Sequence, residues 1–257
     1  MFLLLVDKPK GITSRQVCEI VKNKLNAKKA GHSGTLDANA TGLLIVCLDK
    51  AVKAMPFFEN LDKTYVGIMH MHKDFELDAL EKITRKFVGE IIQKPPIKSR
   101  VKRVERKRTV HYFKILEING KDVRFETRVQ AGTYIRKLVD DIGKFLGGAH
   151  LKELRRIKIG NFDVENSCTI EKINKDCLIE MEKCIQHVKR VYVKNEFVPK
   201  IINGSPIFSY WITKTDAFEK GEKIAIFSSK LIGIGVALVS SKEANKNIKI
   251  IKTDRIF

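Results

Sequence analysis

The sequence predicts an α+β protein built on a mixed or antiparallel sheet and followed by a small β-barrel-like domain. Strand-like runs alternate with helical stripes, but not in the strict order that a parallel βαβ sheet requires. A long hairpin stands in the middle of the chain, where Val110 to Ile118 and Val123 to Val129 flank the turn dipeptide Asn119-Gly120. Beyond roughly residue 188 the texture changes to short strand-like pieces broken at Gly204-Ser205-Pro206, Glu219-Lys220-Gly221 and Gly233-Ile234-Gly235.

The elements follow in order. Met1 to Val6 is an apolar run that stops at Asp7-Lys8-Pro9, too short for a signal peptide or a membrane span, so it reads as a buried first strand of a cytoplasmic protein, or a nuclear or nucleolar one in a eukaryote. Thr13 and Gln16 form a capping box, and Val17, Ile20, Val21 and Leu25 recur behind it at helical spacing. Leu43 to Leu48 is a continuous apolar run, the mark of a strand covered on both faces. Tyr65 to His72 reads as a strand and Leu77 to Phe87 as a helix. Ile135, Leu138, Val139, Ile142, Phe145 and Leu146 make a further helical stripe, closed by Gly147-Gly148.

Of the 257 residues, 49 are basic and 30 acidic, a formal charge of +19. Such a field points to a polyanionic partner, most simply nucleic acid. The basic residues are clustered. Lys98, Arg100, Lys102, Arg103, Arg106, Lys107 and Arg108 stand together with only Glu105 opposing, and Lys152, Arg155, Arg156 and Lys158 form a second group. Patches of this kind hold phosphates without reading bases.

The five cysteines, at 18, 47, 168, 177 and 184, form no CxxC pair and no zinc-knuckle spacing. All read as buried thiols, with Cys177 and Cys184 in an apolar helical pattern beside Leu178 and Met181. His70 and His72 share a strand face but lack a third ligand, so no metal is expected. No P-loop, dinucleotide fingerprint or zinc deaminase signature occurs.

One run stands out: Gly31-His32-Ser33-Gly34-Thr35-Leu36-Asp37 sets a single carboxylate in a turn rich in glycine and small residues, between a helix and an apolar strand. That wording, with Asp7-Lys8-Pro9-Lys10-Gly11-Ile12-Thr13-Ser14 before it, resembles the TruB-type pseudouridine synthases. Three further blocks follow in that family's order: Lys63-Thr64-Tyr65-Val66, Gly132-Thr133-Tyr134-Ile135-Arg136, and Gly148 to Arg156. The tail, with Val191-Tyr192-Val193-Lys194, Ile202-Asn203-Gly204 and Lys220 to Ile226, is similar to a PUA module. The resemblance implies a pseudouridine synthase catalytic domain over residues 1–188 and a PUA-like RNA-binding domain over 189–257.

It also implies roles. Asp37 is the essential carboxylate, as nucleophile or as base, and Arg136 is its partner, since a guanidinium beside a carboxylate favours the ionised form and orients it. Tyr65 stacks on the target base and takes part in proton removal from C5. His32 fills the space that the flipped base leaves, although a hydrogen-bonded turn histidine reads the same way. Leu154 lines the opposite wall. Lys8, with Lys10, orders the loop or contacts phosphates as part of the substrate site. Lys98, Arg100, Lys102, Arg103, Lys152, Arg155 and Arg156 are the expected RNA contacts. The isomerisation balances without a donor or redox partner, so no cofactor is expected.

The short passage from Lys94 to Thr109 is similar to the dyskerin-like branch, which works in H/ACA ribonucleoproteins. In that branch a guide RNA pairs with target rRNA or tRNA, small partner proteins complete the particle, and the PUA tail clamps the guide, with Lys194, Lys220 and Lys223 as phosphate contacts here. A stand-alone tRNA enzyme and a non-catalytic RNA scaffold of the same fold are the two alternatives.

Overall fold

In a computed structural model of the chain, residues 1–94, 104–243 and 247–257 are described. Among them one large sheet carries the first three-quarters of the chain. Its main path runs from Cys168–Thr169 at one edge through β1 (Phe2–Lys8), β3 (Thr41–Leu48), β8 (Ala149–Ile159), β4 (Lys63–Met71), β7 (Asp122–Val129) and β6 (Arg106–Asn119) to β5 (Gly89–Gln93). β2 (Ala30–Ser33) adds to β3, whereas Ile179–Glu180 adds to β1. Most neighbours are antiparallel, and β3 with β8 is parallel. The helices are α1 (Ser14–Lys24), a single turn α2 (Pro56–Glu59), α3 (Leu77–Lys86) and α4 (Ile135–Gly143).

The expected strands and helices form where their patterns place them. Thr13 caps α1 through a full capping box with Gln16. β1 and β3 are covered on both faces. Leu4, Val6, Leu44 and Val46 pack under Val17, Cys18 and Val21 of α1, while Leu3, Leu5, Leu43, Ile45 and Cys47 meet Phe57, Phe58, Met181 and Ile185 on the other side. Each such side chain contributes about 1.5–3 kcal/mol on burial. A second cluster sets Leu138, Val139 and Ile142 of α4 and Leu80 of α3 over Met69, Val110, Val123 and Phe125.

From Lys189 onward the strands form a separate six-stranded sheet, in the order Ile207–Phe208, Lys249–Ile256, Leu231–Ala237, Lys223–Phe227, Lys189–Val193 and Ile212–Thr215. Its two edge strands are joined directly through Ser209–Trp211, so the sheet curls until its edges nearly meet. Ala225, Phe227, Leu231 and Ile234 extend the apolar cluster behind β1 and β3, which ties this sheet to the larger one.

Several expectations need correction. Cys168 and Cys177 form a disulfide, so only Cys18, Cys47 and Cys184 are buried thiols. The bridge joins residues nine apart across an irregular loop, a proximity that spacing does not reveal. Cys177 ends a 3-10 turn (Lys175–Cys177) and Cys184 ends a separate short helix (Met181–Cys184), so they share no helical face. Phe145 lies beyond the end of α4, 62% exposed, with its ring edge on Phe87. Gly31 to Ser33 belong to β2, not to a turn, because His32 pairs across to Val46. No described helix is long and apolar enough to cross a membrane.

Candidate active site

Asp37 sits on the loop between β2 and β3, and that loop is held from below by side chains from three elements, β1, α1 and β8. Gly34 makes the turn at φ +80°. Ser14, buried at the first position of α1, both donates to the Leu36 carbonyl (3.0 Å) and accepts from the Leu36 amide (2.9 Å). Lys8 is fully buried at the end of β1, and its Nζ donates to the carbonyls of Pro9 (2.8 Å), Ile12 (2.7 Å) and Ala38 (3.1 Å). Arg156 of β8, also buried, donates from Nε to the Leu43 carbonyl (2.8 Å) and from Nη2 to the Gly34 carbonyl (2.9 Å). Lys63 of β4 donates to the carbonyls of Glu59 (2.8 Å) and Leu61 (2.6 Å).

Close packing of β3 on β8 depends on Gly42. A Cβ there would stand 2.2 Å from the Arg156 carbonyl oxygen, and the residue's φ is +101°. Only glycine meets both conditions.

Three cations therefore lie buried beneath the loop, each satisfied by backbone carbonyls. Burial shifts the two lysines: it lowers the Lys8 pKa, an effect opposed by the nearby Asp37 charge and reinforced by Arg156. Lys63 is pushed down to about 8, first by burial and then by Arg156, with Asp62 and Glu59 pulling the other way. His32 is lowered by burial and by Arg156, which keeps its ring neutral. Its Nδ1 is buried without a hydrogen-bond partner, so the hydrogen-bonded turn histidine is not what forms.

Asp37 and Arg136 meet. The Arg136 guanidinium donates from Nη2 to Asp37 Oδ2, and both side chains are more than half exposed. An exposed ion pair is worth at most about 1 kcal/mol, so the pair orients the carboxylate and leaves it open to a ligand. Arg136 lies in the first turn of α4, where the helix dipole disfavours a cation. Its position is held from β5: buried Gln93 accepts from the Tyr134 amide through Oε1 (3.0 Å) and donates from Nε2 to the Tyr134 carbonyl (3.2 Å).

Tyr65 stands beside this pair on β4, 8% exposed, in the apolar cluster that contains Leu36 and Ala40 of the Asp37 loop and Ile135 next to Arg136. Leu154 packs on the same cluster. It comes from strand β8, opposite Gly67 and two pairs along from Tyr65. Asp37, Arg136, Tyr65 and Leu154 thus converge.

The second basic group behaves differently from expectation. Arg156 is 1% exposed and reaches no phosphate. Arg155 forms a two-pronged pair with Asp7 (3.0 and 2.7 Å), Lys152 pairs with Asp122 (2.5 Å) and Lys158 with Asp163 (3.0 Å). Each cation that β8 sends outward has a carboxylate waiting in the fold. Lys8 orders the loop and does not face a ligand, because its ammonium is enclosed by three carbonyls. Lys223 is likewise turned inward, toward the Pro56 carbonyl (3.2 Å). Lys98, Arg100, Lys102 and Arg103 lie outside the described residues.

Ser14, Lys63, Gln93 and Asp7 were not singled out in the sequence. Asp7, Ser14 and Lys63 stand inside the recognised blocks, which was a usable signal. Gln93 carried none, being a lone polar residue 41 positions from its partner.

The sequence model described as "TruB family pseudouridylate synthase (N terminal domain)" matches residues 22–135, and "tRNA pseudouridylate synthase B C-terminal domain" matches 136–193. A Pyrococcus abyssi protein named "Probable tRNA pseudouridine synthase B" is 38% identical over 97% of this chain and 80% of its own length. The chain belongs to the TruB family of pseudouridine synthases. A Nanoarchaeum equitans relative of the same name is 39% identical over 98% of this chain and 78% of its own. Residues 189–254 match the PUA domain.

Among solved structures, a chain in a crystal structure of a Cbf5-Nop10-Gar1 complex is similar over 99% of this chain and 83% of its own, with a TM-score of 0.88 and 37% identity. A chain of an H/ACA RNP bound to a substrate RNA containing 2'-deoxyuridine gives 0.86 at 34% identity, over 100% and 84%. Both solved structures come from the branch that the short passage after Lys94 resembles.

Proposed function

We propose that this chain isomerises uridine to pseudouridine in RNA as the catalytic subunit of a guide-RNA H/ACA particle. Residues 1–188 would be the catalytic unit and 189–257 the guide clamp, working in the cytoplasm with small proteins comparable to the Nop10 and Gar1 of the similar complex. The observation that carries the reading is the exposed Asp37-Arg136 pair above Tyr65 and Leu154. The target nucleotide must leave its stack to reach such a pocket.

The reaction breaks the bond from ribose C1′ to N1, turns the uracil, joins C1′ to C5, and gives up the C5 proton while N1 takes one up. With Oδ2 held by Arg136, Oδ1 of Asp37 remains to act at the sugar, as nucleophile or base. From below, the buried Lys8 ammonium lies close enough to Asp37 for the two opposite charges to attract. Tyr65, whose hydroxyl has no partner among the described residues, supplies a face for the base and a group near C5. Neutral His32 fills space beside the loop without adding charge.

The names of the curated relatives favour a second reading, direct action on tRNA without a guide. Tritium release from RNA labelled at uridine C5 separates the two. Release that requires guide RNA and partner proteins supports the particle, and release from tRNA alone supports the second reading. Asp37→Asn should abolish release while RNA affinity changes less than about twofold, since charged-group catalysis and phosphate binding draw on different residues. No release under any condition by wild type that still binds RNA would leave only a scaffold.

A further inference from the structure

Three of the six histidines meet on the face of the large sheet that points away from Tyr65. Met69 and Met71 of β4 are buried in the Tyr65 cluster, and side chains alternate along a strand, so His70 and His72 stand on the other face. His150 of β8 lies directly opposite His70, and Asp122 of β7 flanks His70 on its other side. The sequence pattern puts two histidines on this face, and the fold brings the third.

The three rings are not equivalent. His70 is engaged: its Nδ1 lies 2.6 Å from Asp122 Oδ1, and Lys152 holds the other carboxylate oxygen (2.5 Å). His72 and His150 face each other instead, with His72 Nε2 2.9 Å from His150 Nδ1 and ring centroids 5.2 Å apart. Both are exposed, and among the described residues neither meets a carboxylate. Backbone contacts set this meeting. The His72 amide donates to the Gly148 carbonyl (2.9 Å), and the ring leans over Gly148, where a Cβ would stand 2.6 Å from His72 Nδ1. Gly148 also has φ +107°, so glycine both turns the chain into β8 and leaves room for the ring.

A hydrogen bond between two imidazoles uses the lone pair of one nitrogen, whereas a metal ion uses both. An ion held tetrahedrally at about 2.1 Å from each nitrogen sets them about 3.4 Å apart, so each exposed ring need back away by only about 0.3 Å. Imidazole suits zinc, nickel and copper(II), while magnesium and calcium take oxygen. We propose that His72 and His150 bind one such divalent transition-metal ion between Nε2 and Nδ1, with water in its remaining positions. No three metal-binding side chains among the described residues are placed to surround an ion, so the site has two protein ligands and His70 stays with Asp122. The ion clips the end of β4 to the start of β8, the strands that carry Tyr65 and Leu154 on the opposite face.

The test is calorimetric titration of NiCl2 and of ZnCl2 into the full chain carrying no added histidines, with MgCl2 as the oxygen-seeking control. Nickel and zinc should bind at one ion per chain, and magnesium should not bind. His72→Gln and His150→Gln should each weaken binding at least about a hundredfold, since losing a ligand costs no less than losing a contact that supports one. His70→Gln should leave binding unchanged. Because a proton competes for each ring nitrogen, log K should fall by about two per pH unit on the acid side, a reading on wild type that no folding defect in a variant can imitate. Absence of nickel and zinc binding overturns the proposal, as does binding undiminished in both ligand variants. A slope of about one per pH unit means a single imidazole and overturns the pincer, and an equal loss in His70→Gln overturns the two-ring assignment.

Discussion

Arg156→Met separates two roles that the sequence could not. As a phosphate contact, Arg156 would matter to RNA affinity; as a buried tie, it matters to the loop that carries Asp37. The side chain is 1% exposed and makes two bonds to backbone carbonyls, to Leu43 and to Gly34. Bonds of that kind from a charged donor are worth about 1.5–3 kcal/mol each. Relief of repulsion with Lys63 and of the burial of a charge offsets part of the loss. The net loss should be about 3 kcal/mol, which for a chain of this size lowers Tm by about 6–12 °C. With Gly34 released, the Asp37 loop shifts, and a displacement of about 1 Å costs about a hundredfold in rate. The assays are thermal unfolding, tritium release below the lowered Tm, and RNA binding across a salt series. The salt slope should not change. A slope flatter by about 0.7–0.9 with an unchanged Tm would refute the reasoning, because it is what one lost phosphate contact produces.

Other expectations follow from the same contacts. Lys63 has a folded pKa of about 8, below its ordinary 10.5, so the unfolded chain binds the extra proton between those values. Stability relative to Lys63→Met should thus rise by about 3 kcal/mol from pH 8 to pH 10.5, and denaturant titrations of the two proteins that run parallel across this window would contradict it. Gly42→Ala should cost about 3–5 kcal/mol through backbone overlap and strain. Gly11→Ala, at φ +93° with nothing within 4 Å, should cost only about 1–2 kcal/mol, and equal losses at the two sites would remove steric overlap with β8 as the cause. Denatured, unreduced protein should show three reactive thiols, those of Cys18, Cys47 and Cys184. Replacing Cys168 and Cys177 by serine should cost just under about 3 kcal/mol, whereas five thiols before reduction would mean that the bridge does not form.

Much of the fold was legible because its periodicities are local. β3 is apolar along its length since α1 covers one face and the Phe57-Phe58 side covers the other, and α4 shows its stripe since only one side meets the sheet. The capping box at Thr13 and the turn at Asn119-Gly120 act within a few residues, so the chain declares them. β2 could not be read in this way. Its four residues are a strand only because Val46 and its neighbours lie alongside.

The sequence by itself determined the elements, the run that holds Asp37, and, through the ordered blocks, the family. Tertiary structure decided which charges are available. Lys8, Lys63 and Arg156 look like surface cations in the chain, yet they end buried beneath the Asp37 loop, Lys8 and Arg156 tied to the distant carbonyls of Ala38, Leu43 and Gly34 and Lys63 to its neighbours Glu59 and Leu61. Arg155 and Lys152 are neutralised by Asp7 and Asp122, 148 and 30 residues away. A charge's environment depends on what packs around it, and residues so distant along the chain leave no periodic trace.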